Sequence, residues 1–137
     1  MKHIAILAAL LMPPGSHAGE LKLVFQGADF SGKALFVAVH SSAADFPASD
    51  DKTIRSMITA TGTSTELLIH DIPAGEYAVA VFVDMNGNGK LDRNFIGIPG
   101  EPTGTSRDAQ GRFGPPKFKD AAFKVGEGVT SQTIHIR

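Results

Sequence analysis

The sequence contains no cysteine, no tryptophan and a single tyrosine among 137 residues. Without cysteine there are no disulfide bonds, thiolate metal ligands or cysteine nucleophile. The 13 basic residues are balanced by 14 acidic ones and form no run, so the chain lacks the positive patch that binds phosphate backbones. We therefore expect no nucleic-acid partner.

Long hydrophobic runs are also missing. A basic Lys2 precedes the apolar stretch Ile4–Met12, which is far shorter than the roughly 20 residues of a spanning helix. Small residues then lead to an expected cleavage site after Ala18, which is the pattern of a secretory signal peptide. The sequence thus predicts a signal peptide at residues 1–18, one domain at residues 19–137, no membrane span, and a periplasmic or secreted location.

The apolar residues of the remaining chain alternate with a period of two, which is typical of β-strands. Residues 76–84 are apolar on both faces, which indicates a central strand. Short strands separated by turn residues predict an all-β fold, a single seven-stranded Greek-key β-sandwich of the immunoglobulin-like or prealbumin-like type. The predicted strands cover residues 21–26, 33–40, 55–61, 65–70, 76–84, 121–125 and 131–137.

A long loop over residues 93–118 carries five glycines and four prolines, which leave little room for a regular ladder. Its apolar residues argue against disorder, so we expect an ordered loop packed over the sandwich. Loops held on a rigid scaffold often carry binding residues. The loop is therefore a candidate contact surface for a protein or glycan ligand, or alternatively a cap on the core. The residues concerned are Phe95, Ile98, Glu101, Pro102, Phe113 and Pro115.

One segment has the spacing of a cation-binding loop. Residues 84–92 read DMNGNGKLD, with oxygen side chains at relative positions 1, 3, 5 and 9 and glycine at position 6. In EF-hand-type loops, alternate residues turn inward around a calcium ion and the glycine allows a sharp bend. The predicted metal ligands are Asp84, Asn86, Asn88, the Lys90 carbonyl and Asp92.

The loop departs from an EF-hand at its twelfth position, where Phe95 stands in place of the bidentate glutamate. Glu101 or water would have to complete the shell, so we expect a weak calcium affinity of roughly 10⁻⁴ to 10⁻³ M. The two Asn-Gly pairs also suit a plain hairpin turn, which is the alternative interpretation. Two such pairs flanked by Asp84 and Asp92 exceed what a turn requires, and we favour calcium.

No catalytic constellation stands out in the sequence. The three histidines of the predicted domain, His40, His70 and His135, lack zinc-like spacing, and no nucleophile motif is present. We assign no catalytic residue and expect a non-catalytic structural or recognition role. The alternatives are a calcium-assisted enzyme acting on a saccharide or peptide, and an accessory protein of envelope assembly.

Four blocks of sequence in a fixed order carry a resemblance to a known family. They are residues 72–78 (IPAGEYA), 84–92 (DMNGNGKLD), 97–102 (GIPGEP) and 115–123 (PPKFKDAAF). In these blocks the chain resembles an uncharacterised bacterial family, domain of unknown function 2141 (DUF2141). The resemblance implies a small exported protein with a β-sandwich fold, and it implies no activity.

Overall fold

The computed structural model describes residues 18–43, 46–47, 53–90, 100–111 and 115–137. These residues form eight strands, a 3-10 turn and one short helix, α1. The strands are β1 (Ala18–Gln26), β2 (Ala34–His40), β3 (Ile54–Thr59), β4 (Ser64–Pro73), β5 (Gly75–Asp84), β6 (Thr103–Thr105), β7 (Phe123–Val125) and β8 (Val129–His135); the 3-10 turn is Ser106–Asp108 and α1 is Phe118–Ala121.

The strands form two sheets. In the first, the order is β4-β1-β8, with β1 antiparallel to β4 and parallel to β8. In the second, the order is β3-β2-β5-β6 and every pair is antiparallel; β7 also pairs with the start of β5. Each of the seven predicted strands has a counterpart, so the all-β prediction is confirmed. The count is eight rather than seven because β6 forms inside the long loop.

One hydrophobic core is shared by the two sheets. Alternate residues of β1 (Leu21, Leu23 and Phe25) are buried, and the residues between them are partly exposed. The same alternation places Leu35 and Val37 of β2 in the core. In β1 and β2 the period of two in the sequence therefore reports the buried face of the strand, as elementary strand geometry requires.

Strand β5 is the centre of the second sheet, as its two apolar faces predicted. Val79, Val81 and Val83 are at most 3% exposed on the core face. On the opposite face, the Phe82 ring stacks on Phe36 of β2 with the ring centroids 5.0 Å apart. The strand thus packs on both of its sides.

Strand β6 connects the edges of the two sheets. It pairs with β5, and Thr103 exchanges two backbone hydrogen bonds with Arg137, at 3.0 and 2.9 Å, just beyond β8. The approach is so close that a Cβ on Gly104 would lie 2.8 Å from Ile134 Cγ2. Within the described residues, no helix has the length and apolar character needed to cross a membrane.

Candidate metal site

The proposed cation loop leaves the end of β5. Asp84 is the last residue of that strand and pairs in register with Ala34 of β2. Its side chain is only 5% exposed, whereas residues 85–90 are all exposed. The Lys33 ammonium donates a hydrogen bond to the Met85 carbonyl at 3.3 Å, which ties the start of the loop to β2.

The Asp84 carboxylate accepts two backbone hydrogen bonds from its own loop. Its Oδ1 accepts from the Gly87 N–H at 3.1 Å, and its Oδ2 accepts from the Gly89 N–H at 2.8 Å. Both glycines have left-handed backbone conformations, with φ of 75° and 74°. Glycine adopts this conformation without the steric cost that a Cβ imposes. These two glycines therefore allow the chain to wind around the carboxylate.

The two asparagines extend the same winding. Asn86 Oδ1 accepts a hydrogen bond from the Asn88 N–H at 3.2 Å, and Asn88 Oδ1 accepts one from the Lys90 N–H at 3.0 Å. The oxygen side chains at alternate positions therefore turn back onto the backbone of the loop. The structure brings Asp84, Asn86, Asn88 and Lys90 into one short loop. Asp92, the fifth predicted ligand, lies outside the described residues.

A second buried carboxylate lies against this loop. Glu101 is 7% exposed, and its Oε2 accepts a hydrogen bond from the Met85 N–H at 2.7 Å. The position of Glu101 follows from the chain beside it, because the Val83 N–H donates to the Pro102 carbonyl at 2.9 Å and β6 begins at the next residue. Pairing of β6 with β5 thus brings a carboxylate from the long loop to the residue that follows Asp84.

The donor set at this place consists of hard oxygen atoms. Asp84 and Glu101 supply carboxylates, and the two asparagines supply amide oxygens, which are the ligand types that calcium takes. Among the described residues, Asp84 makes no ion pair with a basic side chain. Buried carboxylates are stabilised by a nearby cation. Across the same residues, no group of three or more His, Cys, Asp or Glu side chains is placed to hold a metal ion.

The other part of the long loop is fixed by residues that the sequence did not single out. Ser106 is fully buried; its Oγ accepts a hydrogen bond from the Val79 N–H at 2.9 Å and donates one to the Ala121 carbonyl at 2.7 Å. Asp108 accepts hydrogen bonds from the backbone N–H and the Nδ1 of His135, at 3.0 and 2.8 Å. A serine or aspartate in a glycine-rich loop gives no periodic signal that could have identified these contacts.

Asp108 has a perturbed acidity with identifiable causes. Partial burial acts to raise its pKa, but the two hydrogen bonds from His135, together with the positive charges of His135 and Arg137, outweigh it. The pKa of Asp108 is therefore held below its ordinary value of 3.8. Both Arg107 and Asp108 adopt left-handed backbone conformations, at φ of 58° and 51°. The carboxylate thus holds a sharply turned segment against β8.

The candidate contact residues of the long loop fall into two groups. Glu101 is buried, Pro102 is half-buried and Pro115 is exposed. The other three, Phe95, Ile98 and Phe113, lie outside the described residues.

The three histidines have different surroundings. His70 Nδ1 lies 2.9 Å from a Glu20 carboxylate oxygen on the outer face of the first sheet, and His135 pairs with Asp108. His40 is 2% exposed, and its ring contacts Phe46 edge to face. Each histidine thus contacts a different partner.

Comparison with known proteins gives one positive result. No curated protein and no solved structure matches the chain. The model of one protein family, DUF2141, described as an uncharacterized protein conserved in bacteria, matches residues 27–133. This range contains the cation loop, Glu101, Ser106 and Asp108, and spans β2 to β7. Because the match covers most of the sequence, the chain belongs to the DUF2141 family.

Proposed function

We propose that this chain is a non-catalytic exported protein that binds calcium at residues 84–92, and that the ion fixes the long loop for a structural or recognition role. The ligands are Asp84, Asn86, Asn88, the Lys90 carbonyl and Asp92. The observation that carries the proposal is the winding of the loop around the buried Asp84 carboxylate, with Glu101 against the next residue. A plain hairpin turn requires neither feature.

Glu101 takes the place of the glutamate that an EF-hand has at its twelfth position. The residue at that position here is Phe95, so a closing carboxylate has to come from elsewhere in the chain. Glu101 is buried and is fixed beside Met85 by a 2.7 Å hydrogen bond. A calcium ion between these segments would join the end of β5 to the residues that lead into β6. Binding would therefore stabilise the long loop where it enters the second sheet.

The proposed fold is a Greek-key β-sandwich of the prealbumin-like rather than the immunoglobulin-like type. In immunoglobulin domains, the second and third strands belong to different sheets. Here β2 and β3 are neighbours in one sheet, and β1 and β4 pair in the other. The core shared by residues of both sheets supports the sandwich, and this distribution of strands supports the prealbumin-like type.

The test is the thermal midpoint of residues 19–137 in excess calcium, excess magnesium and chelator. At a calcium concentration tenfold above Kd, binding adds about 1.4 kcal/mol to the free energy of unfolding. For a domain of this size, that corresponds to a rise in Tm of about 5 °C. We expect calcium, and not magnesium, to produce the rise.

Single substitutions test whether the calcium-dependent rise in Tm comes from the proposed ligands. Asp84→Asn and Asp92→Asn should abolish the difference between calcium and chelator, and Glu101→Gln should reduce it. Asp71→Asn is the matched control, because Asp71 is exposed and has a left-handed conformation that asparagine tolerates. Each variant is compared with itself in the two buffers, so a change in its basal stability does not affect the result. A Tm that calcium does not change in the wild type would favour the hairpin interpretation and reopen the enzyme and accessory alternatives.

Export requires its own test. When the full chain is expressed in a bacterium, the mass of the protein in the periplasmic or extracellular fraction should correspond to a chain that begins at Gly19. A full-length protein retained in the cytoplasm would contradict the signal peptide and the predicted location.

A further inference from the structure

A hollow of about 440 Å³ opens on the surface where Ala43 and Phe46 lie beside the segment leading into α1. It is lined by Ala43, Phe46 and residues 115–119. Phe46 contacts His40, at the end of β2 opposite to Ala34, and Ala34 is the residue that pairs with Asp84. The hollow and the cation loop therefore lie toward opposite ends of β2, roughly 20 Å apart at the rise of a β-strand.

The floor of the hollow consists of two phenylalanine rings, one of which packs on a buried histidine. The Phe46 and Phe118 rings meet edge to face, with their centroids 5.9 Å apart and an interplanar angle of 85°. Phe46 in turn meets the buried His40 ring edge to face at 4.9 Å. Both phenylalanines are only half-buried, so apolar ring surface remains open to solvent. This is a preformed apolar surface rather than a filled part of the core.

The rim of the hollow is cationic. Lys117 and Lys119 line it, both are exposed, and neither forms an ion pair within the described part of the chain. Among the lining residues that the structure describes, none is acidic. Apolar pockets with a few placed polar groups are the usual form of small-ligand sites, and the charge of those groups selects the charge of the ligand. An apolar body with an anionic head complements this arrangement.

The lining also distinguishes between classes of anionic ligand. A peptide main chain needs backbone donors and acceptors, but Pro115 and Pro116 have no N–H group to offer. A saccharide needs several side-chain hydrogen-bonding groups, but of the described lining residues only the two lysines carry a charged or polar side chain. An aliphatic tail needs neither backbone partners nor several polar side chains, and the compact charge of a lysine ammonium suits a single carboxylate.

We propose that the hollow is a binding site for a fatty carboxylate. The aliphatic tail lies over the Phe46 and Phe118 rings, and the carboxylate accepts hydrogen bonds from Lys117 and Lys119.

The first experiment compares ligands of one tail length and different heads. Decanoate, decanol and decyltrimethylammonium are titrated into residues 19–137 below their aggregation concentrations, in chelator so that the cation loop plays no part. Binding is followed by calorimetry and by amide chemical shifts. We expect decanoate to bind most tightly and to shift resonances of Ala43, Phe46 and residues 115–119. Affinity should rise with tail length from hexanoate to decanoate, by up to about fourfold for each added methylene.

The second experiment removes the cationic rim without altering the floor. The double variant Lys117→Gln with Lys119→Gln should bind decanoate about fivefold more weakly, since each exposed ion pair contributes modestly. Its affinity for decanol should not change. The charge-matched control is Lys22→Gln with Lys33→Gln, because Lys22 lies on the first sheet and Lys33 precedes the far end of β2. This control should bind like the wild type.

Several results would overturn the proposal. They are no decanoate binding at millimolar concentration, equal affinity for decanoate and decanol, no dependence on tail length, shifts centred elsewhere on the chain, or equal losses in the two double variants. Both lysines are exposed, so the double variant is expected to fold, and circular dichroism checks this. An acidic decapeptide without apolar residues is added as a competitor; displacement of decanoate by it would indicate a charge site for peptides instead.

Discussion

Replacing Ser106 with alanine tests whether one hydroxyl closes a gap in the second sheet. On the same edge of β5, β7 pairs with residues 75–77 and β6 pairs with residues 80–82, which leaves two residues between them. In this gap the Val79 N–H donates to Ser106 Oγ, and the same hydroxyl donates to the Ala121 carbonyl. Ser106 therefore takes the position that a neighbouring strand would otherwise fill.

The expected loss of stability follows from the groups that lose their partner. Ser106 is 0% exposed, so water has no access to the Val79 N–H or the Ala121 carbonyl when the hydroxyl is removed. A buried polar group without a hydrogen bond costs about 1–3 kcal/mol. With one donor and one acceptor affected, we expect the free energy of unfolding to fall by about 2–6 kcal/mol. That is a large fraction of the stability of a typical domain.

The assay is urea unfolding of residues 19–137 at a fixed calcium concentration, together with hydrogen exchange of the Val79 amide. Ser131→Ala is the matched control, because Ser131 is exposed on β8, and it should change the free energy of unfolding by less than about 0.5 kcal/mol. In Ser106→Ala the Val79 amide should exchange faster than in the wild type. A loss no larger than that of the control, with unchanged protection of this amide, would refute the reasoning.

Three further predictions concern other groups of the fold. The folded pKa of Asp108 lies below 3.8, so its ionised form contributes stability above pH 3.8, and this contribution is lost as the pH falls through the folded pKa. When the urea midpoint of unfolding is measured at a series of acidic pH values, Asp108→Asn should lack this part of the pH dependence. Gly104→Ala places a Cβ 3.0 Å from the His135 carbonyl oxygen and should lower the free energy of unfolding, measured by thermal unfolding, by about 1–3 kcal/mol. The control Gly126→Ala should lower it much less, because a Cβ there has no heavy atom within 4 Å. Burial raises the pKa of Tyr77, the single tyrosine of the chain, above 10.0, so its tyrosinate absorbance should appear at a higher pH than that of a free tyrosine. Stability should fall as the pH rises past 10.0, because the unfolded chain ionises first. A titration at the ordinary pKa would contradict this.

The strands could be predicted because their burial follows the sequence directly. Leu21, Leu23 and Phe25 alternate with partly exposed residues in β1, and that alternation is visible in the sequence. Alternation says which face of a strand is buried, but it does not say which strands pair. The parallel pairing of β1 with β8 and the distribution of strands between the sheets were therefore not predictable from it. Strand β6 is short and has no apolar period; it exists because the edge of β5 offers it hydrogen bonds.

In residues 84–90, contacts within the loop depend on nearby sequence, whereas the contact with Glu101 depends on strand pairing elsewhere in the fold. The side chains of Asp84, Asn86 and Asn88 each accept a hydrogen bond from an amide within their own loop, so this part of the geometry is set by residues close together in the sequence. The burial of Glu101 beside Met85 depends on the pairing of β6 with β5, which is a tertiary event. The sequence could offer Glu101 only as one possible closing group. Ser106 and Asp108 gave no signal, since their partners are on β5, α1 and β8.

The parallel pairing of β1 with β8 makes completion of the first sheet a late folding event. Leu21 pairs with Thr130, near the other end of the described chain, and contacts between such distant residues form slowly because the loop between them must first close. Until β8 docks, β1 is an edge strand that presents unpaired amides beside the apolar residues of its core face. Aggregation should therefore compete with folding mainly in the interval before the last strand docks.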